Sequence, residues 1–454
     1  MHRRRFLHSV GAGVIAALPV ADSKIKAQEA QSASRADFIL RIQPVTVELA
    51  PRHYVKTVGY NGASPGPILK VPEGKNISID VFNETDTEDI VHWHGLQIPS
   101  NVDGSIEEGT PAVPPNGHVR YSFTASPSGT RWYHTHAAAH RNLNRATYSG
   151  QFGFFYIQPR NEPGNYDAEF LLALKEWDPF WTTQMGGDSL DVGYKRFSVN
   201  DRSLGFGEPL RVKQGQRVML RILNASATLP RRIALAGHVF RVLALDGNPV
   251  PAPQEVEVLE LGPAERVDAQ VIMNNPGIWI LGATDDHDRE GGMGIVVEYA
   301  GQTGPPVWRT PASMAWNYGI FGVKENKTET AAAERIPLVF RKKFVSSHWQ
   351  DKWTVNGREF PHTDPIQVKA GQLYRLIFDN RSDEAHPVHL HRHTFELIRI
   401  GGVAVRGIRK DVVMTAANSQ VEVELLANNP GPTLFHCHNQ MHMDFGFMAM
   451  FQYV

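Results

Sequence analysis

The chain contains one cysteine among its 454 residues, and a histidine flanks it on each side. Cys437 lies between His436 and His438 in the segment LFHCHNQMHMDFGF. Thiolate sulfur is a soft ligand that selects redox-active metals, and neutral imidazole is a common ligand of copper and zinc. Residues i and i+2 of a strand point to one face, so the sulfur should face away from both imidazoles. This segment therefore predicts a strand that contacts two metal sites.

Two more histidines are candidate partners of the cysteine at the first of these sites. His442 follows five residues after Cys437, and His386 opens the segment HPVHLH. Pro387 favours an extended backbone at His386, because proline disfavours the helical region for the residue before it. A trigonal set of two histidines and one cysteine, with a weak axial partner, is the ligand arrangement of blue-copper electron-transfer sites.

The second site would be built from four His-x-His pairs. They are His92 and His94, His134 and His136, His389 and His391, and His436 and His438. Each pair would direct both rings to one face of a strand. Eight imidazoles exceed what one ion needs, so the pairs predict a site for several metal ions. Zinc is the other metal to consider, but a tetrahedral zinc site at the cysteine would not require eight further histidines nearby.

A pattern that occurs three times along the chain positions these pairs. In each copy a glycine precedes an asparagine by nine residues, and the intervening segments ISIDVF, VMLRIL and YRLIF are apolar and rich in β-branched residues. A glycine turn followed by such a segment predicts a half-buried strand. The glycine and asparagine positions are Gly74 and Asn83, Gly215 and Asn224, and Gly371 and Asn380.

The histidines occupy matching positions in the first and third copies only. Positions nine and eleven residues after the asparagine hold histidine in those copies, whereas the second copy has Ile233 and Leu235. Positions five and seven after a later turn glycine also hold histidine, whereas the second copy has Gly282 and Thr284. The metal site is therefore expected between the first and third units.

The repeats predict an all-β chain of three tandem β-sandwiches. We expect an export signal and N-terminal segment at 1–34, and domains at 35–160, 161–300 and 336–454. The segment 301–335 lacks the pattern and is expected to be a linker with one helical turn.

The N-terminus, MHRRRFLHSVGAGVIAALPV, is typical of an export signal. Arg3, Arg4, Phe6 and Leu7 resemble the twin-arginine signal, and the apolar run is too short to span a bilayer. We therefore expect a periplasmic or extracellular protein without a membrane anchor. The formal net charge of -1 argues against a nucleic-acid partner, and one cysteine cannot form a disulfide within the chain.

Four motifs in this order resemble the signature of the multicopper oxidases. They read HWHG at 92–95, HTH at 134–136, HPVHLHRH at 386–393 and HCHNQMH at 436–442. The resemblance covers nearly the whole mature chain and implies cupredoxin-like Greek-key domains with four copper ions. It implies a type 1 copper held by His386, Cys437 and His442. It implies a type 2 copper held by His92 and His389, and a type 3 pair held by His94, His134, His136, His391, His436 and His438.

The resemblance also implies an activity. We expect a laccase-like oxidase that takes single electrons from phenolic or aromatic amine donors and reduces dioxygen to water, with Cys437 in the electron path. The alternative is a cuprous or metal-ion oxidase in copper tolerance, although no methionine-rich insertion is present. A copper nitrite reductase usually has two domains and no trinuclear cluster, and copper-free structural relatives have lost the ligands that this chain retains.

The chain departs from the family pattern at several positions. Phe447 occupies the axial position, where it cannot bind copper, which favours a high reduction potential. A shift of register would instead offer Met448 or Met443. Arg392 replaces a small residue, and we interpret it as a solvated charge at the rim of the site.

The predicted proton route is incomplete in the sequence. Relatives often have a carboxylate near the HCH segment, where this chain has Gln440 and Met443, with Asp444 nearby. Asp103 matches a family carboxylate that feeds protons to the cluster. His118, His140, His238, His287, His348 and His362 fall outside the repeat and are expected to be surface or packed residues, and His393 is expected to support a ligand.

Overall fold

Strands form most of the computed structural model, which describes residues 35–162, 164–183, 190–323, 334–345 and 351–454. The predicted export signal lies outside these ranges. Of the unit Met1–Asp37, only the last three residues are described, and they form no helix or strand. Phe38–Val454 forms a second, compact unit. No helix among the described residues is long and apolar enough to cross a membrane.

The first sandwich comprises eight strands between Phe38 and Gln158. They are β1 (Phe38–Ala50), β2 (His53–Tyr60), β3 (Leu69–Pro72), β4 (Asn76–Asn83), β5 (Val91–His94), β6 (His118–Thr124), β7 (Gly129–Thr135) and β8 (Phe152–Gln158). One sheet has the order β2-β1-β4-β6 and the other β3-β8-β7-β5. The short helix α1 (Ser100–Asp103) follows β5.

The second sandwich comprises eleven strands between Ala168 and Tyr299. They are β9 (Ala168–Thr183), β10 (Leu190–Val199), β11 (Leu210–Val212), β12 (Arg217–Asn224), β13 (Arg231–Leu235), β14 (Phe240–Leu245), β15 (Asn248–Val256), β16 (Val258–Leu261), β17 (Arg266–Ile272), β18 (Ile278–Ala283) and β19 (Gly294–Tyr299). The sheet orders are β10-β9-β12-β17-β14-β15 and β11-β19-β18-β13-β16. Helix α2 (Asp286–Glu290) precedes β19.

The third sandwich comprises the remaining described strands. They are β20 (Glu334–Lys343), β21 (Lys352–Val355), β22 (Ile366–Val368), β23 (Leu373–Asn380), β24 (His386–Leu390), β25 (Phe395–Ile400), β26 (Val403–Ala404), β27 (Arg409–Lys410), β28 (Val412–Thr415), β29 (Gln420–Leu426), β30 (Thr433–Cys437) and β31 (Met448–Tyr453). One sheet has the order β21-β20-β23-β29-β25-β26, with β27 beside β25, and the other β22-β31-β30-β24-β28. Helix α3 (Gln440–Asp444) connects β30 to β31.

The predicted all-β fold is confirmed, and each sheet takes its strands from only one of the three successive stretches. The three strands predicted after the glycine turns are β4, β12 and β23, and each ends at the asparagine of its repeat. The predicted linker contains a 3₁₀ turn at Tyr318–Phe321, and β20 begins at Glu334. The domain boundaries themselves stay a prediction.

The repeated asparagine has the same role in all three sandwiches. Asn83, Asn224 and Asn380 are each no more than 1% exposed. Each side-chain oxygen accepts the backbone N–H two residues later, at Thr85, Ser226 and Ser382, and each amide nitrogen donates to at least two carbonyls. This Asx turn ends the strand and fixes the start of the loop that follows.

Candidate metal centres

His386, Cys437 and His442 converge at a buried point in the third sandwich. Sγ of Cys437 lies 3.8 Å from Nδ1 of His386 and 3.6 Å from Nδ1 of His442. The two Nδ1 atoms lie 3.1 Å apart. All three ligand atoms lie within 4.8 Å of one another. The predicted trigonal set is therefore brought together.

Local structure explains how a ligand five residues after Cys437 reaches the same point. The side chain of Asn439 accepts the N–H groups of Met441 and His442 and so caps helix α3. This helix turns the chain back after β30 and carries His442 towards the sulfur. On the other side, Ser382 Oγ lies 2.8 Å from Nε2 of His386 and orients that ring.

Aromatic side chains surround this cysteine site. The ring centroid of Phe447 lies 5.0 Å from that of His386, and Phe447 is fully buried. Its backbone accepts the N–H of Cys437 and donates to the carbonyl of His442. The ring of Trp353 packs 4.2 Å from His442. By contrast, Met448 lies opposite His436 in the β30–β31 register and lines a cavity together with His136, away from the sulfur of Cys437.

The eight histidines of the four pairs meet between the first and third sandwiches. His92 lies opposite His134 in the β5–β7 register, and His389 lies opposite His436 in the β24–β30 register. Ligand nitrogens form compact triplets: His92, His94 and His134; His92, His389 and His391; and His136, His391 and His436. His438 completes the set, with its ring 5.1 Å from that of His134.

The two nitrogens of these rings have different surroundings. Five buried ring nitrogens have no hydrogen-bond partner among the described residues: Nε2 of His92, His134, His389 and His438, and Nδ1 of His94. In four of these rings the other nitrogen faces a protein acceptor: Asp103 O for His92, Thr135 O for His134, and Oδ1 and O of Asp411 for His94 and His389. Unpaired buried nitrogens are costly, and a metal ion would satisfy them while the outer contacts fix each ring.

Burial keeps these imidazoles in the form that binds metals. It lowers the pKa of His136 to about 4 and of His438 to about 3. The pKa values of His94, His134, His386, His389, His391 and His436 are also held well below the usual range, by burial first and then chiefly by neighbouring rings. These rings are neutral at neutral pH. Buried neutral imidazoles beside one soft sulfur are a donor set that fits copper.

Asp103 and Glu108 form a carboxyl pair beside the histidines. Oδ2 of Asp103 lies 2.9 Å from Nδ1 of His391, and Oε2 of Glu108 lies 3.4 Å from the same nitrogen. Burial and the Asp103 carboxylate raise the pKa of Glu108 well above its usual range. Burial opposes ionisation of Asp103 too, but His92 and His391 lower its pKa. In this pair a proton is therefore favoured on Glu108 over Asp103.

Asp411 is a second carboxylate that the sequence did not single out. Its Oδ1 lies 3.1 Å from Nε2 of His94, and its backbone oxygen lies 2.7 Å from Nδ1 of His389. Arg266 of the second sandwich donates to both carboxylate oxygens, at 2.7 and 2.6 Å. Neither Glu108 nor Asp411 belongs to a local motif, so only the folded structure reveals them.

The interpretation of Arg392 as a solvated rim charge is wrong. Its side chain is 1% exposed, and its guanidinium donates to backbone carbonyls and to Thr433. Burial is tolerated because every N–H has an acceptor. His393 contacts the backbone carbonyl of His391, a candidate ligand, as expected for a residue that supports it.

Near the HCH segment, Gln440 donates to Asp444, and its side-chain oxygen accepts from Thr147. Asp444 in turn accepts the N–H groups of Ala139 and His140. Asp444, Met443 and Glu107 line a cavity of about 320 Å³ that reaches His136, the one partly exposed ring of the eight. The cavity therefore connects this cluster to the surface.

Comparisons with known proteins agree with these two centres. Models of the multicopper oxidase family match residues 41–162, 182–301 and 335–454. Multicopper oxidase MmcO of Mycobacterium tuberculosis is 29% identical, with 98% of this chain and 92% of that protein covered. Laccase-3 of Oryza sativa subsp. japonica is 25% identical, with 91% of each chain covered. The crystal structure of a multi-copper oxidase from Pseudomonas thermotolerans is 26% identical, with a TM-score of 0.73, over 92% of this chain and 100% of that one.

The chain belongs to the multicopper oxidase family, an assignment that the matched models support over most of its length. It is therefore an oxidoreductase whose family binds four copper ions, of types 1, 2 and 3. The predicted family, the cupredoxin-like fold, the enzyme class and the copper cofactor are confirmed.

Proposed function

We propose that this enzyme is laccase-like and takes single electrons from phenolic or aromatic amine donors to reduce dioxygen to water. The proposed class of electron donor rests on a carboxylate at the edge of the cysteine site. Oε2 of Glu384 lies 3.2 Å from Nε2 of His442, and the Glu384 side chain is 25% exposed whereas that of His442 is 2% exposed. A carboxylate there would accept a hydrogen bond from a phenol or an amine as the donor loses an electron.

The ligand roles follow the two clusters. We propose His386, Cys437 and His442 for type 1 copper, and His92 and His389 for type 2 copper. The type 3 pair would take His94, His134, His136, His391, His436 and His438. When bound, copper would supply one-electron redox chemistry at the first site and four-electron reduction of dioxygen at the second.

The residues of the chain would connect these events. Cys437 is joined in sequence to both His436 and His438, so a few covalent bonds separate the two centres. The cavity at His136 would admit dioxygen and release water. Asp103, which contacts His391 and lies beside Glu108, would relay the protons that oxygen reduction consumes.

The alternative function is oxidation of a metal ion such as cuprous ion, for copper tolerance. The observation behind this alternative is a group of carboxylates at the same edge, because carboxylates attract cations, although Lys342 already pairs with two of them. Nζ of Lys342 lies 2.8 Å from Glu384 and 3.1 Å from Asp351. Asp191, whose pKa is raised by burial, also interacts with Glu384. However, the 11 methionines form no methionine-rich insertion that would offer soft ligands to cuprous ion.

We also propose that the mature enzyme has three domains, at 35–160, 161–300 and 336–454, joined by the 301–335 linker. Export would use the segment 1–34, to the periplasm or outside the cell. Replacing Arg3 and Arg4 by lysine should retain the precursor in the cytoplasm, as fractionation and mass measurement would show. Normal export of that variant would contradict the twin-arginine route.

The deciding experiment uses copper-loaded enzyme with phenolic, aromatic amine and cuprous donors in parallel, with oxygen uptake and visible absorption recorded. We expect an intense thiolate-to-copper absorption and oxygen uptake with the organic donors. Absence of both signals would contradict the oxidase proposal. Oxygen uptake with cuprous ion alone would support the alternative function.

A variant tests the donor contact directly. Glu384→Gln should lower kcat/KM for phenols about tenfold or more, because it removes the charged hydrogen-bond acceptor. Glu334→Gln, at the exposed start of β20, is the matched control. Equal phenol kinetics in both variants would contradict a donor contact at Glu384.

A further inference from the structure

Arg392 occupies a backbone position that suits glycine better. It lies in the turn after β24 with φ +59°, in the left-handed region that residues with a Cβ rarely adopt. The family pattern has a small residue at this point of the HPVHLHRH motif. An arginine that keeps this strained conformation should therefore gain contacts that outweigh the strain.

The guanidinium makes a complete set of hydrogen bonds in a buried environment. Nε donates to Ile98 O at 2.9 Å. Nη1 donates to Pro432 O at 2.9 Å and to Thr433 Oγ1 at 2.7 Å. Nη2 donates to Asn429 O at 3.1 Å and to Pro430 O at 2.9 Å. The planar fork of arginine has a donor for each of these acceptors, which the ammonium of lysine lacks.

These acceptors belong to two different sandwiches. Ile98 follows β5 in the first sandwich, whereas the acceptors between Asn429 and Thr433 form the turn that leads into β30. Asn429 closes the arrangement, because its side-chain nitrogen donates to Ile98 O and Arg392 O, both at 3.1 Å. Arg392 thus ties the first sandwich to the turn before His436, Cys437 and His438.

The same segment of the first sandwich makes further contacts across this boundary. Asp103 contacts the ring of His391 at 2.9 Å, and Glu108 accepts the backbone N–H of Leu434 at 2.7 Å. Arg392 directly follows His391. Arg392 therefore joins the first and third sandwiches at the interface where the histidine pairs of the two sandwiches converge.

We propose that Arg392 is a positioning residue that holds the first and third sandwiches in register and so retains copper at the eight-histidine site. The proposal rests on the proposed function only in assigning that site to three copper ions. The hydrogen-bond acceptors of the Arg392 guanidinium are four backbone carbonyls and the Thr433 hydroxyl, none of which belongs to a histidine ring. It acts through the turn at Asn429–Thr433 and through the backbone of His391.

The test compares Arg392→Gly with the wild-type enzyme, both loaded with copper. Glycine relieves the strained φ but removes the donors of the Asn429, Pro430 and Pro432 carbonyls and one of the two donors to Ile98 O. We expect copper release from the eight-histidine site to a chelator to be about tenfold faster or more, because the guanidinium that joins Ile98 to the turn at Asn429–Thr433 is lost. Metal content, the type 2 paramagnetic resonance signal and the type 3 absorption measure this loss. The thiolate-to-copper absorption should persist.

Two further variants make the result specific. Arg52→Gly is the matched control, because Arg52 also has a left-handed backbone, at φ +65°, but is exposed. It should release copper at the wild-type rate. Arg392→Lys keeps the charge but not the fork, so it should release copper faster than the wild type and more slowly than Arg392→Gly.

Wild-type retention of all four copper ions in Arg392→Gly would overturn the proposal. If Arg392→Gly does not fold, Arg392→Lys decides, and wild-type copper release in that variant would overturn the proposal equally. None of these measurements depends on which donor the enzyme oxidises. If the proposed donor class is wrong, the oxidation assays will show it, and the copper-release measurements will still test the role of Arg392.

Discussion

At the scale of single residues, hydrogen bonds to one ring nitrogen orient several of the proposed histidine ligands. The outer nitrogens of His92, His94 and His389 are held by Asp103 or Asp411, which leaves the inner nitrogens free for metal. At the cysteine site, burial raises the pKa of the Cys437 thiol, so a bound cation is needed to favour the thiolate. The donor atoms are thus prepared by neighbours that bind no metal themselves.

Asp103→Asn tests the proposed proton relay. The amide keeps the shape of the side chain but cannot carry a proton, so oxygen reduction should slow about a hundredfold. The pH dependence of turnover should change as well. Reduction of the type 1 copper by donor under anaerobic conditions should be unaffected. Asp86→Asn, at an exposed site, is the control. Unchanged turnover and pH dependence in Asp103→Asn would refute the relay.

Phe447→Met tests the axial position. Methionine would place a thioether near the copper ligands, which should lower the reduction potential of the type 1 site. A fall of about 59 mV would change the equilibrium for one-electron oxidation of a donor about tenfold. Redox titration of the visible absorption measures the shift. Phe451→Met, also buried, controls for repacking of the core. Equal potentials in both variants would show that residue 447 does not occupy the axial position.

Asp201→Asn gives a pH-dependent change of stability away from copper. Asp201 is 2% exposed, and burial raises its pKa to about 7, against the opposing effects of Ser64 and Lys175. The folded protein therefore binds this proton more tightly than the unfolded chain, so the wild type loses stability as pH rises from about 4 to 7. The free energy of unfolding of the variant should not fall over this pH range. At pH 8 the variant should therefore gain up to about 4 kcal/mol of stability relative to the wild type. Thermal unfolding at pH 5 and pH 8 checks this, and an equal difference at both values would refute it.

At the scale of elements, the sequence predicted much of the local structure. The spacing of apolar residues predicted β4, β12 and β23. The His-x-His spacing predicted that the two rings of each pair share one face of a strand. Both predictions were possible because both signals are local in the sequence. Glu108, Asp411 and the buried state of Arg392 were missed. Each depends on which distant segments meet: Glu108 bonds Leu434 and Arg392 bonds Ile98. The spacing of residues within one strand does not indicate which distant segments come into contact in the folded chain.

Asn380→Ala tests the element that delivers His386. The amide of Asn380 bonds Glu384 O and Ala416 O, and its oxygen accepts from Ser382, whose hydroxyl contacts His386. Loss of these bonds should destabilise the protein by about 1–3 kcal/mol. It should also weaken the thiolate-to-copper absorption.

Asn224→Ala is the matched control for that prediction. Asn224 makes the same Asx turn in the second sandwich, where the repeat has no histidines. This variant should lose similar stability in thermal unfolding but keep the visible absorption. If both variants retain full absorption per chain, the turn at Asn380 does not position His386.

At the scale of the whole molecule, the second sandwich has no predicted ligand but still contacts the site. Asp411 joins all three sandwiches: Arg131 comes from β7, Arg266 from β17, and the carboxylate itself precedes β28. All three side chains are fully buried. A buried carboxylate between two guanidinium groups is stable only while each charge has its partner.

Asp411→Asn therefore tests whether the second sandwich supports the eight-histidine site. Asparagine removes the carboxylate that both arginines contact, so that Asp246 is the carboxylate still paired with Arg266, and it weakens the contact to His94. Stability should therefore fall by about 3–5 kcal/mol. Type 3 absorption should decrease while the thiolate-to-copper absorption persists, because Asp411 contacts His94 and His389 but not Cys437. Thermal unfolding and both absorptions are measured, with Asp364→Asn at an exposed ion pair as the control. Wild-type stability and type 3 absorption in Asp411→Asn would show that this carboxylate supports neither the junction of the sandwiches nor the metal site.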